Sequence, residues 1–172
     1  EHMAKVRILI VDDDTRFTDL LKGYLLTQER IGEVEVAADG REALDKLKAS
    51  PFDVMTLDLI MPNMDGLSVL EQLPAVCGAQ APAVVVISAL RNETMVRRCC
   101  ALGARYFMVK PIETETLCKR ILSLLDADQV RGGMMQVAQA PKSFEEKVTA
   151  VFLVAGIPAH IKGYRYLREG IR

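Results

Sequence analysis

The sequence predicts an α/β fold, a doubly wound five-stranded parallel sheet followed by a linker and a short helical tail, on three observations. Short, nearly continuous apolar runs recur along the chain, each ending beside polar residues. Between them apolar residues return at helical spacing, so strand and helix alternate five times between Val6 and Leu125. The connections are short, and parallel neighbours require crossovers that place helices on both faces of a sheet.

Val6 to Val11 is the first run and ends in Asp12, Asp13 and Asp14. Phe17, Leu20, Leu21, Tyr24 and Leu25 form the apolar stripe of a first helix. Val34 to Ala38 reads as a shorter second strand, and Asp39 with Glu42 has the spacing of a capping box, so a helix with Ala43, Leu44 and Leu47 inward starts there. Asp53 to Leu57 is the third strand, followed by the stripe Leu67, Leu70 and Leu73. Ala83 to Ile87 and Tyr106 to Val109 are the last two strands, with Met95, Val96, Cys99 and Cys100 between them and Leu117, Ile121, Leu124 and Leu125 after them.

At 172 residues, half of them apolar, the chain suffices for one well-cored domain plus a remainder. Residues 5–126 are assigned to that domain, 127–142 to a linker marked by Gly132-Gly133 and Pro141, and 143–172 to a tail. Apolar runs are too short to span a bilayer, and Glu1-His2-Met3 looks like a cloning remnant rather than a signal peptide. A cytoplasmic protein without membrane contact is expected. Cys77, Cys99, Cys100 and Cys118 lack metal-site spacing and read as reduced thiols. The net charge of −1 gives no basic stripe that would argue for nucleic acid.

Ligands of doubly wound sheets bind at the carboxyl ends of the strands. There the chain places Asp12, Asp13 and Asp14 after the first strand, Asp58 after the third, Ser88 after the fourth, and Lys110-Pro111 after the fifth. Two carboxylates about 4 Å apart repel by roughly 4 kcal/mol at an effective dielectric near 20, so the acids cannot be a stabilising core feature. A hard divalent cation, Mg²⁺ or alternatively Mn²⁺ or Ca²⁺, meets the need and leaves room for phosphate oxygens. Lys110 adds a fixed positive charge. Asp14, at the start of the first helix, can instead serve as an N-cap.

Asp12-Asp13, Asp58 within Leu57-Asp58-Leu59-Ile60-Met61-Pro62-Asn63-Met64-Asp65-Gly66, Ser88-Ala89 and Lys110-Pro111 together resemble the response-regulator receiver family, whose fold is flavodoxin-like. The resemblance implies that Asp58 accepts a phosphoryl group from a phosphohistidine on a histidine kinase or histidine phosphotransfer protein. It implies that Asp13 binds Mg²⁺ directly, Asp12 through metal-bound water, and Ile60 through its carbonyl. Lys110 would neutralise a phosphoryl oxygen, Ser88 would bond the new phosphoryl group, and Phe107 would rotate into the space that Ser88 leaves. Dimerisation on phosphorylation through the face of the fourth and fifth helices and the last strand is a further family expectation. Two residues past Asp58 and Ser88 stand Ile60 and Leu90, neither able to orient an attacking water, so slow self-dephosphorylation is expected.

In the tail, Ser143 with Glu146 again has capping-box spacing, and Phe144, Val148, Val151 and Phe152 form an apolar stripe. Ile157 to Glu169 resembles the opening of the DNA-binding domain of sporulation master regulators. That implies a transcription factor controlling sporulation, although these residues hold no helix that could read the major groove, so DNA is expected as a partner of the full-length protein alone. Two alternatives stand beside this reading. One is a phosphorelay intermediate or docking receiver without transcriptional output. The other is an aspartate-based phosphatase using Asp12 and Asp14, against which Asp58 would have no role.

Overall fold

The computed structural model describes residues 5–89 and 92–131, with the backbone alone over 127–131. The order of elements is β1 (Val6–Val11), α1 (Thr15–Leu25), β2 (Ile31–Ala37), α2 (Gly40–Ala49), β3 (Val54–Leu57), α3 (Gly66–Cys77), a short 3-10 turn, β4 (Ala83–Ser88), α4 (Glu93–Ala101), β5 (Tyr106–Val109) and α5 (Thr114–Arg131). The strands form one sheet in the order β2-β1-β3-β4-β5, with β1 parallel to both β2 and β3. Five strands and five helices alternate as the sequence predicts. The chain divides into two compact units, the first ending at Val85 and the second beginning at Val86.

In the first unit, Ile8, Leu9, Ile10 and Val11 are all inaccessible although their side chains alternate between faces. Burial on both faces is what a strand in the middle of a covered parallel sheet requires, and it accounts for the unbroken apolar run. Leu21 and Leu25 of α1, Ala43, Leu44 and Leu47 of α2, and Val69, Leu70 and Leu73 of α3 complete this core. In the second unit, Ile87, Val96, Cys99, Phe107, Met108, Leu117, Ile121 and Leu124 are buried.

Several elements differ from the sequence reading. On α1 it is Thr18 that joins Leu21 and Leu25 on the inner face, its hydroxyl donating to the Thr15 carbonyl at 3.1 Å, while Leu20 is 66% exposed. On α3, Val69 is buried where Leu67 was expected. Strand β2 starts at Ile31, before Val34, because Gly32 is an extra residue where the register slips between Val6 and Arg7. Helix α5 runs past Asp126 to Arg131, into what reads as linker. The remaining linker residues, the tail with its Ser143–Glu146 box, and Leu90 lie outside the described residues.

The expected cap at Asp39 forms in a modified way. Its carboxylate accepts from Glu42 N at 2.9 Å, but the Glu42 carboxylate reaches back to Ala38 N rather than to the Asp39 amide. Beside β2, Arg7 bonds Glu33 at 2.9 Å and Glu35 at 3.2 Å and lies 4.5 Å over the Phe52 ring. These pairs are partly exposed and contribute little individually.

All four cysteines are free, with Cys99 and Cys118 buried and Cys77 and Cys100 half-buried. Burial, reinforced by Cys100, pushes the Cys99 thiol up to about 12, and burial pushes Cys100 up to about 11. The thiolate is the reactive form, so both groups are slowed at neutral pH, the buried Cys99 more than the half-buried Cys100. In the folded protein at pH 7 a maleimide is expected to label Cys77 ahead of Cys100 and to leave Cys99 and Cys118 unlabelled. Peptide mass spectrometry reads the order, and early labelling of Cys99 would contradict the packing.

Candidate functional site

The site begins where β1 and β3 end. Backbone bonds fix both ends: Asp12 N donates to the Ala37 carbonyl and Asp58 N to the Val11 carbonyl, each at 3.0 Å. Asp12 and Asp58 are buried, at 3% and 7% exposure, and Asp13 is exposed. One carboxylate oxygen from each of the three lies within 4.8 Å of the others. Three hard oxygen donors at that spacing, two of them buried, suit a hard divalent cation such as Mg²⁺, Mn²⁺ or Ca²⁺.

The same end of the sheet is braced by local bonds. Asp12 Oδ1 accepts from Asp14 N at 2.9 Å, turning the chain toward α1, and Asp58 Oδ1 accepts from Ile60 N at 3.3 Å. Asp14 Oδ1 accepts from Arg16 N and Phe17 N, at 3.1 and 3.2 Å, so it is the N-cap of α1 and stands apart from the cluster. That employment accounts for Asp14 without the phosphatase alternative.

The loop from Asp58 to Gly66 is tightly folded. Gly66 N donates back to the Leu59 carbonyl at 3.0 Å, Met64 N to the Pro62 carbonyl at 2.7 Å, and Asn63 takes a φ of 67°. Ile60, two residues past Asp58, is 55% exposed.

In the second unit, Ser88 is fully buried at the end of β4 and Lys110 is half-buried at the end of β5. Lys110 N donates to the Ser88 carbonyl at 2.9 Å, which puts these two residues side by side. The Lys110–Pro111 bond is cis. Phe107 lies inside the core with no exposed surface. The predicted residues thus fall into two groups, Asp12, Asp13 and Asp58 with Ile60 in the first unit, and Ser88, Phe107 and Lys110 in the second.

Two participants escaped the sequence reading. Asn63 donates through Nδ2 to Asp39 Oδ2 at 2.7 Å, and Gly40 N donates to the Met64 carbonyl at 3.0 Å, so α2 holds the loop that follows Asp58. The Pro62-Asn63 pair signals a turn, and asparagine tolerates positive φ, but its partner across the chain has no local signature. No helix among the described residues is long and apolar enough to cross a membrane.

Solved structures resemble this chain closely in fold. A CheY-like response regulator receiver domain protein from Methanospirillum hungatei matches with a TM-score of 0.68 at 28% identity, covering 76% of this chain and all of that one. The CheX–CheY–BeF3–Mg²⁺ complex from Borrelia burgdorferi matches at 0.63 and 34% identity, over 71% of this chain and 90% of that one. The receiver domain of the response regulator NarL from Mycobacterium tuberculosis matches at 0.65 and 29%, over 72% and 98%. The response regulator receiver domain family matches residues 8–122, from within β1 to within α5. That span takes in each residue of both groups at the strand ends, and the chain belongs to the response regulator receiver family, a family of signalling domains that interact with histidine kinases.

Proposed function

We propose that this receiver accepts a phosphoryl group on Asp58 from the phosphohistidine of a histidine kinase or histidine phosphotransfer protein. The observation that carries the proposal is the convergence of Asp12, Asp13 and Asp58 within 4.8 Å, two of them buried, at the ends of β1 and β3. An Asp58 carboxylate oxygen attacks phosphorus, the phosphorus–nitrogen bond breaks, and the imidazole keeps its electron pair and takes up a proton. Asp13, Asp58 and the Ile60 carbonyl would hold Mg²⁺ directly and Asp12 would hold it through water. Bound there, the ion supplies charge neutralisation for the phosphoryl oxygens. Mg²⁺ in the Borrelia relative's complex accords with this donor set.

Lys110 and Ser88 are the residues of the second unit assigned to the phosphoryl group, Lys110 by charge and Ser88 by its hydroxyl. Phe107 follows Ser88; because it is already buried, its movement is a repacking within the core rather than an entry from solvent. The altered face of α4, β5 and α5 then favours a homodimer. Output in the full-length protein is transcriptional, in the manner of the sporulation master regulator, stage 0 sporulation protein A, which residues 157–169 resemble. Those residues lie outside the described ones, and the protein acts in the cytoplasm on this reading.

Incubation with Mg²⁺ and acetyl phosphate is expected to add one phosphoryl group, seen by intact mass and lost to hydroxylamine. No adduct on a folded, Mg²⁺-binding chain would sink the proposal in favour of a docking domain.

The exposed Ile60 shields the acyl phosphate from an ordered water. Ile60→Asn, which can orient one, is expected to accelerate loss of the phosphoryl group by about tenfold, less than the roughly 100-fold or more of a general base because an amide orients the water without taking its proton. An unchanged lifetime by timed intact mass would remove Ile60 from the account.

A further inference from the structure

We infer that Asp39 and Asn63 form a latch between helix α2 and the loop after the phosphoacceptor, and that the latch sets the metal affinity of the site. The inference rests on the reading of Asp58 and its neighbours as a metal-dependent phosphoacceptor site. Neither latch residue belongs to the acidic cluster, so both are positioning residues.

The loop from Leu59 to Asp65 carries the Ile60 carbonyl, and its start carries Asp58. Its beginning is fixed to β1 through Asp58 N, and its end is closed by Gly66 N on Leu59. Between those points the loop is tied to the first residues of α2, and Met64 Sδ also accepts from Gln72 Nε2 of α3 at 3.8 Å. Asn63 Nδ2 donates to Asp39 Oδ2 at 2.7 Å, and Gly40 N donates to the Met64 carbonyl at 3.0 Å. The approach is close enough that a β-carbon at position 40 would stand 2.7 Å from the Met64 oxygen and from a Val69 methyl. Such contact fixes the distance between α2 and the loop to a few tenths of an ångström.

Asp39 uses both oxygens, Oδ1 to cap α2 through Glu42 N and Oδ2 to hold Asn63. These bonds keep its carboxyl below the usual carboxylate range, the Glu42 amide contributing most and Asn63 next. A serine there still caps a helix, but its side chain is one atom shorter than aspartate's and its single oxygen, turned to the Glu42 amide, does not reach Asn63. Asn63 likewise does two things, adopting a φ of 67° and donating its amide. Glycine keeps the first and loses the second. The two substitutions Asp39→Ser and Asn63→Gly therefore remove the latch while sparing the helix cap and the turn.

Outer-shell bonds that orient ligands commonly account for 10- to 100-fold in metal affinity. Here the oriented group is a backbone carbonyl three residues from the bonded loop position, so the lower end of that range applies. Mg²⁺ titration by calorimetry is expected to show about tenfold weaker binding for Asn63→Gly and for Asp39→Ser. The double variant is expected to be no weaker than either single one, because one bond is lost in all three. Melting temperatures are expected to stay within about 4 °C of the parent chain, which separates positioning from unfolding.

In the metal-free chain, amides of residues 60–65 are expected to exchange faster in both variants. Unchanged exchange there, wild-type Mg²⁺ affinity in Asn63→Gly, or losses that add in the double variant would each overturn the latch. A parent chain that failed to bind Mg²⁺ or take a phosphoryl group would overturn the reading of the site instead, while the exchange measurement on metal-free protein would still decide whether the latch holds the loop.

Discussion

Alanine at position 58 is expected to abolish the phosphoryl adduct proposed for the parent chain with Mg²⁺ and acetyl phosphate, a fall of at least ~1000-fold in the rate of modification, as loss of the proposed nucleophile entails. Asp12 and Asp13, read as metal ligands, are not expected to substitute. A residual adduct of parental size on Asp58→Ala, mapped to Asp13 by peptide mass spectrometry, would move the acceptor. The same position makes a second, opposite forecast for stability. Charges within 4.8 Å of one another repel by roughly 3 kcal/mol per pair at an effective dielectric near 20, before discounting for the exposure of Asp13. Asp58→Asn keeps the shape and removes one charge. The metal-free variant is therefore expected to be more stable than the parent by about 1–2 kcal/mol after that discount. Mg²⁺ should raise the melting temperature of the parent and leave that of Asp58→Asn nearly unchanged, since binding to the folded state alone is what stabilises it.

The acids were legible because a charge at the end of an apolar run is a local pattern with a physical meaning, and two such runs, β1 and β3, bring theirs together once the sheet is assumed. The strands were legible for the same reason. Val6 to Val11 could hardly be anything but a strand covered on both faces, and its residues are inaccessible from Ile8 onward. Leu20 was misplaced because periodicity gives a stripe about a hundred degrees wide and cannot say which edge of it meets the sheet. The threonine on the favoured edge satisfies its hydroxyl within the helix and so can be buried. The start of β2 was missed because the extra residue at Gly32 interrupts the alternation that marks a strand. What local pattern could not reveal is the bond between Asp39 and Asn63, 24 residues apart. Each residue has a sufficient local explanation, one as a helix cap and the other as a turn, and nothing in either suggests the partner.

Gly66 belongs to the same class of hidden constraint, and Gly66→Ala is expected to be among the most damaging single-methyl additions in the chain. A β-carbon there would lie 2.2 Å from the Asp58 carbonyl oxygen and 2.9 Å from the Leu59 α-carbon, both backbone atoms that cannot swing aside. Ordinary contact lies more than an ångström farther out, so either the start of α3 or the Asp58–Leu59 peptide must move. Movement of α3 would disturb Val69, Leu70 and Leu73, which are buried, and overpacking of this kind costs about 1–3 kcal/mol or more. Movement of the peptide would shift the phosphoacceptor itself, and a displacement of about 1 Å at reacting atoms costs on the order of 100-fold in rate. Gly66→Ala is thus expected to lower the melting temperature by about 5–10 °C and to slow acetyl phosphate modification about 100-fold at a temperature where the variant remains folded. Gly23→Ala supplies the control, because that glycine lies exposed within α1 with nothing within 4 Å of a β-carbon, and alanine there should stabilise by roughly 0.5–1 kcal/mol. If Gly66→Ala melted with the parent and took up phosphate at the same rate, α3 would not be seated against the Asp58 peptide, and the close packing that orients the acceptor would have to come from elsewhere.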